Sequence, residues 1–201
     1  MARALILDAR VTAELIAQRH ARGVDRYDEV WDGVWHMAPA PNLEHQRIEK
    51  RLLLVLVEVV EDTDLGQVFH EVNVADPEKR MEDFRIPDLV VLLPESYGKM
   101  QGTFIAGGPD FIVEIHSPGD ETYEKLPWYA TQGVREALII DRDTKAPALY
   151  RQQGGQLIEV GHYPTGVASQ ILPLRFELMM EEGSPRLRIS HREDPSRYWE
   201  I

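Results

Sequence analysis

Two short segments constrain the fold of this chain more than anything else in it. IPDLVVLLP at 86–94 and DFIVEIH at 110–116 place branched and aromatic residues on both alternating sets of strand positions. A strand with one wet face alternates apolar with polar side chains, so filling both sets means cover on both faces. The chain therefore builds central strands with further layers on each side, in an α/β (α+β) arrangement. Each of these segments is broken by one acid, Asp88 in the first and Glu114 in the second. A buried carboxylate costs several kcal/mol unless it is paired, hydrogen-bonded or bound to a cation, so both positions call for an explanation.

The remaining segments fit around those strands. DARVTAELIAQRH at 8–20 spaces Val11, Leu15 and Ile16 as a short helix, with Gly23 as its stop. YDEVWDGVWHMAP alternates about Asp32-Gly33, a strong hairpin-turn pair. After the break at Pro39 to Asn42, Ile48, Leu52, Val55, Leu56 and Val59 share one face of a long helix. Glu49 and Glu58 read as solvated positions on that helix. GQVFHEVNVA at 66–75 reads as one strand, ADPEKRMEDF as a polar connection and ESYGKMQGTFIAGG as a loop. REALIID at 135–141 follows a second helical segment and reads as a fourth strand. A hairpin turning at Gly154-Gly155 and a last strand, ILPLRFELMM, complete the pattern, and SHREDPSRYWEI reads as a polar, poorly ordered tail.

With 201 residues and 43% hydrophobic content, the expectation is a single domain over 1–201, its core at about 10–178 and a C-terminal extension at 179–201. There is no cysteine, which excludes thiolate metal sites and fits a reducing cytoplasm. Any metal must then be held by oxygen or imidazole. The longest apolar run, at 52–60, is interrupted by Glu58, so no membrane association is expected. The formal net charge of −12 sets the overall field against nucleic acid.

Asp88 and Glu114 lie 26 positions apart. On neighbouring strands they would bring two hard oxygen ligands together, as magnesium requires. Either acid alone could equally be a structural group, bonded to turn amides or to an arginine such as Arg85. Lys125, eleven positions after Glu114 and beyond the Ser117-Pro118-Gly119 turn, could polarise a water attacking phosphorus or be an exposed helix lysine.

IPDLVVLLPE, PDFIVEIHSP, the Glu124-Lys125 pair with Tyr129 and Gly133-Val134, and the upstream YDEVWDGVWHMAPAP followed by His45 together resemble the Uma-two family of putative restriction endonucleases. That family is a branch of the PD-(D/E)xK nuclease superfamily, and the resemblance spans roughly residues 10 to 178. It implies a restriction-endonuclease-like fold, a mixed central β-sheet flanked by helices with an N-terminal helix and β-hairpin. It further implies a metal-dependent endonuclease acting on DNA, with Asp88 and Glu114 binding Mg or Mn and Lys125 assisting water attack as the third catalytic residue. A homodimer is compatible with this reading.

The chain departs from the pattern in three places. The superfamily's usual lysine position, two after the glutamate, holds His116, which shares a strand face with Glu114. The family's frequent glutamate after the hairpin glycine is replaced by Val34. Pro127 requires the following helix to begin near Leu126 or to kink, leaving Lys125 at its mouth. His45, heading the long helix, is left outside the metal set. The expected DNA-facing charges are Lys79, Arg80, Arg85, Lys99 and Arg135. A catalytically inactive interaction module of the same fold, with an acidic protein-binding surface, is the rival reading, and a carboxylate acid-base pair acting on sugars is a distant third.

Overall fold

The computed structural model describes residues 8–162 and 166–201. Three α-helices and fifteen strands run along the described residues, with a 3-10 turn at Pro94–Lys99. Helix α1 (Ala9–Arg22) is capped by the Asp8 carboxylate, which accepts from the amides of Arg10 and Val11, and is stopped by Gly23 in the left-handed region at φ 63°. Helix α2 (Leu43–Leu56) starts on Asn42, whose side-chain oxygen accepts from His45 N–H, and runs on as a π-helical turn, Val57–Glu61. Helix α3 (Thr122–Gln132) ends at Gly133, φ 86°.

Three sheets carry the strands. The first orders β2 (Val34–His36), β1 (Glu29–Trp31), β5 (Arg80–Arg85), β4 (Asn73–Asp76) and β7 (Phe104–Ala106). The central sheet orders β11 (Gln156–His162), β10 (Pro147–Gln153), β9 (Glu136–Asp141), β8 (Phe111–His116), β6 (Leu89–Leu92) and β3 (Gln67–His70). The third orders β12 (Val167–Ala168), β13 (Leu174–Glu181), β14 (Ser184–His191) and β15 (Tyr198–Glu200). In the central sheet β8 and β9 pair in parallel and the other neighbours are antiparallel, so the sheet is mixed, as the family resemblance implies.

Both faces of β8 are covered, and its alternation decides by what. Phe111, Val113 and Ile115 pack with Ile48, Leu52, Val55 and Leu56 of α2 and with Leu174, Phe176, Leu187 and Ile189 of the third sheet. Ile112 faces the other way, onto Leu126 and Tyr129 of α3 and Val74 of the first sheet. Each fully buried aliphatic side chain contributes about 1.5–3 kcal/mol relative to exposure. These two clusters therefore anchor β8 from both faces, with Glu114 on the α3 side.

Four expectations are corrected. GQVFHEVNVA is not one strand: Glu71, at φ 49°, breaks it, sending β3 to the central sheet and β4 to the first. ADPEKRMEDF is not merely a connection but carries β5, folded back on β4 by a turn in which Asp76 Oδ1 accepts from the amides of Glu78 and Lys79. The loop after β6 contains β7. The polar tail is built into the third sheet, where β15 pairs with β14 and Ile201 is buried. Its anchors are Arg197 and Trp199, which donate to the Glu58 carboxylate across the chain.

Candidate functional site

The sequence-named acids meet at one end of the central sheet. Pairing between β6 and β8 stops at Leu89 opposite Val113, and Asp88 lies just before β6 rather than within it. Its side chain extends the ladder: Ile115 N–H donates to Asp88 Oδ2 at 2.6 Å. This bond fixes Asp88 beside Glu114, whose carboxylate is buried at 4% exposure.

Lys125 reaches Glu114. Its Nζ lies 3.2 and 3.3 Å from the two carboxylate oxygens of Glu114 and 2.8 Å from Oε1 of Glu29. Helix α3 begins at Thr122, earlier than Pro127 suggests, so Lys125 occupies its first turns and Pro127 lies inside it. As the sixth residue of the helix, Pro127 forgoes the amide bond toward the Tyr123 carbonyl. One turn on, Tyr129 donates its hydroxyl to Glu114 Oε1 at 2.6 Å.

Glu29 was not visible as a site residue. It sits on β1, 6% exposed, accepting from Ile86 N–H at 2.8 Å and from Trp31 Nε1 at 2.7 Å. An acid from the hairpin thus reaches Lys125, although the position after the hairpin glycine is Val34. The hairpin itself is locked against α3 by Arg85, whose guanidinium stacks between Trp31 and Trp128, 4.4 Å from each ring centre. Asp83 bonds Arg85 at 2.9 Å and accepts from Trp128 Nε1 at 3.0 Å.

On the α2 side, His45 Nε2 lies 3.4 Å from Asp88 Oδ1. Glu49, one turn further on, is buried rather than solvated, correcting the expectation for it. His45, Ile48, Glu49 and Leu52 recur at i, i+3, i+4 and i+7. That spacing puts both polar residues on the core-facing stripe, and it was the signal that could have found them. His45, Glu49 and Asp88 each offer a ligand atom, all within 4.8 Å of one another.

His116 does not enter this cluster. Its Nδ1 pairs with Asp120 Oδ1 at 2.8 Å and its ring meets Tyr123 edge-on. The basic residues expected to gather around the site are dispersed. Lys79 pairs with Asp32 at 2.7 Å, and Arg85 is buried with Asp83. Lys99 donates to the Gly108 carbonyl, and Arg135 pairs with Asp110 and Glu95 near the opposite end of β8.

The electrostatics follow from this crowding. Burial, reinforced by Asp88 and Glu29, pushes the Glu114 carboxyl above its usual range, while Lys125 opposes the shift. Lys125 is held firmly protonated because the attraction of Glu114 and Glu29 outweighs its own burial. Burial and the nearby Asp88 and Glu71 raise Glu49 to about 7. Burial alone would lower His45, but the Asp88 carboxylate reverses this and raises it. Four carboxylates, Glu29, Glu49, Asp88 and Glu114, thus crowd around the Lys125 ammonium and the His45 imidazole, with the half-exposed His70 ring 3.6 Å from Glu49. A divalent cation fits this excess of negative charge, and the donors are the oxygen and imidazole groups such an ion accepts.

No curated protein matches the chain. Among solved structures, it is similar in fold to the crystal structure of a protein from Anabaena variabilis ATCC 29413 described as "a putative nuclease belonging to DUF820". The TM-score is 0.57 at 20% identity, over 71% of this chain and 80% of that one. The family model Uma2, described as "Putative restriction endonuclease", matches residues 19–181, which takes in the hairpin with Glu29, the helix with His45 and Glu49, and all of Asp88, Glu114 and Lys125. With most of its length matched, this chain belongs to the Uma2 family.

Proposed function

We propose that the protein is a divalent-metal-dependent endonuclease that hydrolyses phosphodiester bonds in DNA, with Asp88 and Glu114 as the metal-facing carboxylates and Lys125 as the cation that orients the attacking water. The observation that carries this reading is the Lys125 ammonium, lodged between Glu114 and Glu29 at 2.8–3.2 Å beside an Asp88 fixed by Ile115 N–H. A magnesium or manganese ion bound there supplies Lewis acidity to a phosphoryl oxygen and lowers the pKa of a coordinated water.

The protein groups divide the remaining work. Ile115 N–H aims Asp88, so its other oxygen stays turned to the cluster. Tyr129 and Lys125 hold Glu114 in one orientation with its charge partly offset. Glu29, itself fixed by Ile86 N–H and Trp31, keeps the ammonium in place without reorganisation when charge develops on the phosphate.

Purified protein with Mg²⁺ or Mn²⁺ is expected to nick or cut plasmid or single-stranded DNA, and EDTA to stop it. Asp88→Ala and Glu114→Ala are each expected to abolish cutting while the far-ultraviolet spectrum keeps its native form. Unchanged cleavage in either variant removes that residue from the site.

One observation favours the rival interaction module: the pairing of Lys79, Arg85, Lys99 and Arg135 leaves no basic patch built from them beside Asp88. The nuclease reading answers it through the ion, which supplies positive charge where DNA phosphates would approach. A protein that folds, binds Mn²⁺ and leaves every DNA substrate intact would favour the module.

A further inference from the structure

We infer that Arg26 is the contact for a DNA backbone phosphate at the mouth of the site, and that Glu71 holds its guanidinium there until the phosphate takes the carboxylate's place. The inference rests on the nuclease reading and deepens it by naming a group that meets the substrate's backbone, and it is read out by binding.

Position comes first. Glu71 follows β3 in the left-handed region at φ 49°, and its N–H donates to the Asp88 carbonyl at 3.0 Å. That bond pins Glu71 to the short segment that carries the Asp88 carboxylate. The Glu71 side chain, 11% exposed, accepts from Arg26 at 2.5 Å and lies 4.0 Å from His70 Nδ1, which is 3.6 Å from Glu49. The charge of Arg26 is felt at Glu49 as well, where it opposes the rise that burial causes. Exposure grows along this path, from 9% at the Glu49 side chain to 52% at His70 and 64% at Arg26. The cluster thus opens to solvent where Arg26 stands, and a phosphate approaching Asp88 from that side meets the guanidinium.

The chemistry of the pair permits the exchange. Lys79, Arg85, Lys99 and Arg135 are tied to other groups, whereas Glu71 is the one hydrogen-bond partner of Arg26 among the described residues. A guanidinium carries five N–H donors in a planar fork, so most of this fork faces water. The fork matches phosphate as well as carboxylate, and an ion pair whose arginine is largely in water is worth little. Glu71 is not stranded when Arg26 leaves. The His70 ring stays beside it, and so does the Tyr27 hydroxyl, which burial and then the Glu71 carboxylate raise above its usual range.

Fluorescence anisotropy of a labelled DNA duplex and a labelled DNA single strand tests the contact, with the full chain in Ca²⁺, an ion that takes oxygen ligands, over a range of salt concentrations. Arg26→Ala is expected to weaken binding of every sequence alike and to lower the slope of log K against log salt by about 1. Glu71→Gln, nearly isosteric, should bind DNA more tightly, because the competing carboxylate is gone and the guanidinium remains. A purely structural ion pair would instead move both variants in the same direction. Arg186→Ala, which removes an arginine paired with Glu181 on the third sheet, should leave the slope unchanged. An unchanged slope in Arg26→Ala, an equal drop in Arg186→Ala, or binding by Glu71→Gln no tighter than the wild type would each overturn the inference. Glu71→Gln decides the matter alone if Arg26→Ala fails to fold. Cleavage with Mn²⁺ separates the two claims, and where cutting occurs Arg26→Ala should raise KM by more than it lowers kcat. Cutting by the wild type with an unchanged slope in Arg26→Ala refutes the Arg26 contact alone. The full binding pattern without any cutting refutes the nuclease reading alone, and absence of both binding and cutting overturns both.

Discussion

Two glutamates are buried in adjacent parallel strands of the central sheet, and they are solved in opposite ways. Glu136, at the start of β9, is 1% exposed and fully answered by local groups. Arg151 donates to it at 2.7 Å, the Ser169 hydroxyl at 2.5 Å and the Gln170 amide at 3.0 Å. One negative charge meets one positive charge, and the bonds tie the segment leading into β13 to the sheet. Glu114, near the other end of β8, also has a cation and a hydroxyl, but its lysine is shared with Glu29 and its neighbourhood holds Asp88 and Glu49 as well. Burial of an acid is therefore not what marks a functional position. What distinguishes the Glu114 end is an excess of carboxylates over nearby protein cations, which the raised Glu114 and Glu49 carboxyls reflect and which an added ion would relieve.

That contrast is open to direct attack, and the largest effect is expected at the balanced end. Glu136→Ala strands Arg151 and Ser169 and cuts the tie to the third sheet, so it should lower unfolding stability by roughly 3–5 kcal/mol, measured by denaturant titration. A loss below about 1 kcal/mol would show that the network around Glu136 carries little. Lys125→Ala comes next. It should slow cleavage by about a hundredfold, as loss of a preorganised charge does, with Mn²⁺ affinity held or raised because a competing cation has gone.

The third prediction concerns pH. Glu49 is raised to about 7 in the folded protein from the ordinary carboxylate value of 4.5. The folded state therefore holds the proton more tightly than the unfolded chain. Its contribution to stability is full below about pH 4.5, falls as pH rises and is lost above pH 7. The loss is on the order of 3 kcal/mol. Melting temperatures of wild type and Glu49→Gln, compared at pH 5 and pH 8 without metal, should converge at the lower pH and favour the variant at the higher one. A difference that does not change with pH would place Glu49 in solvent, and the reverse order would mean that its ionised form is stabilised by a partner. The smallest effect is expected from His116→Ala. Its ring is tied to Asp120 away from Glu114, so cleavage should change by less than about threefold. Loss of cleavage there with Lys125→Ala still active would exchange the roles of the two residues.

The same contrast explains what could be read from sequence. The central strands were legible because cover on both faces leaves a pattern that no neighbour can disguise, and Asp88, Glu114 and Lys125 stood out against it or through the family's order of blocks. Strand β5 was not legible. Its inner residues Asp83 and Arg85 look like loop residues until Trp31 and Trp128, distant in sequence, close around the guanidinium. Glu29 and Glu49 were missed for a related reason: charged residues in a hairpin and a helix default to solvent, and their burial depends on Ile86, Lys125 and Asp88 arriving from elsewhere. The C-terminal segment reads as a tail because its anchors are single long-range contacts to Glu58 rather than an apolar run.

The most direct test sets the two buried glutamates against each other in one assay. Glu114→Gln and Glu136→Gln would be purified alongside the wild type, melted to fix a temperature at which all three are folded, and then given plasmid DNA with Mn²⁺ at that temperature. Glu114→Gln is expected to be folded and inactive, whereas Glu136→Gln should melt earlier but still cut. Cleavage by Glu114→Gln at the wild-type rate, or equal loss of cleavage in both folded variants, would contradict this.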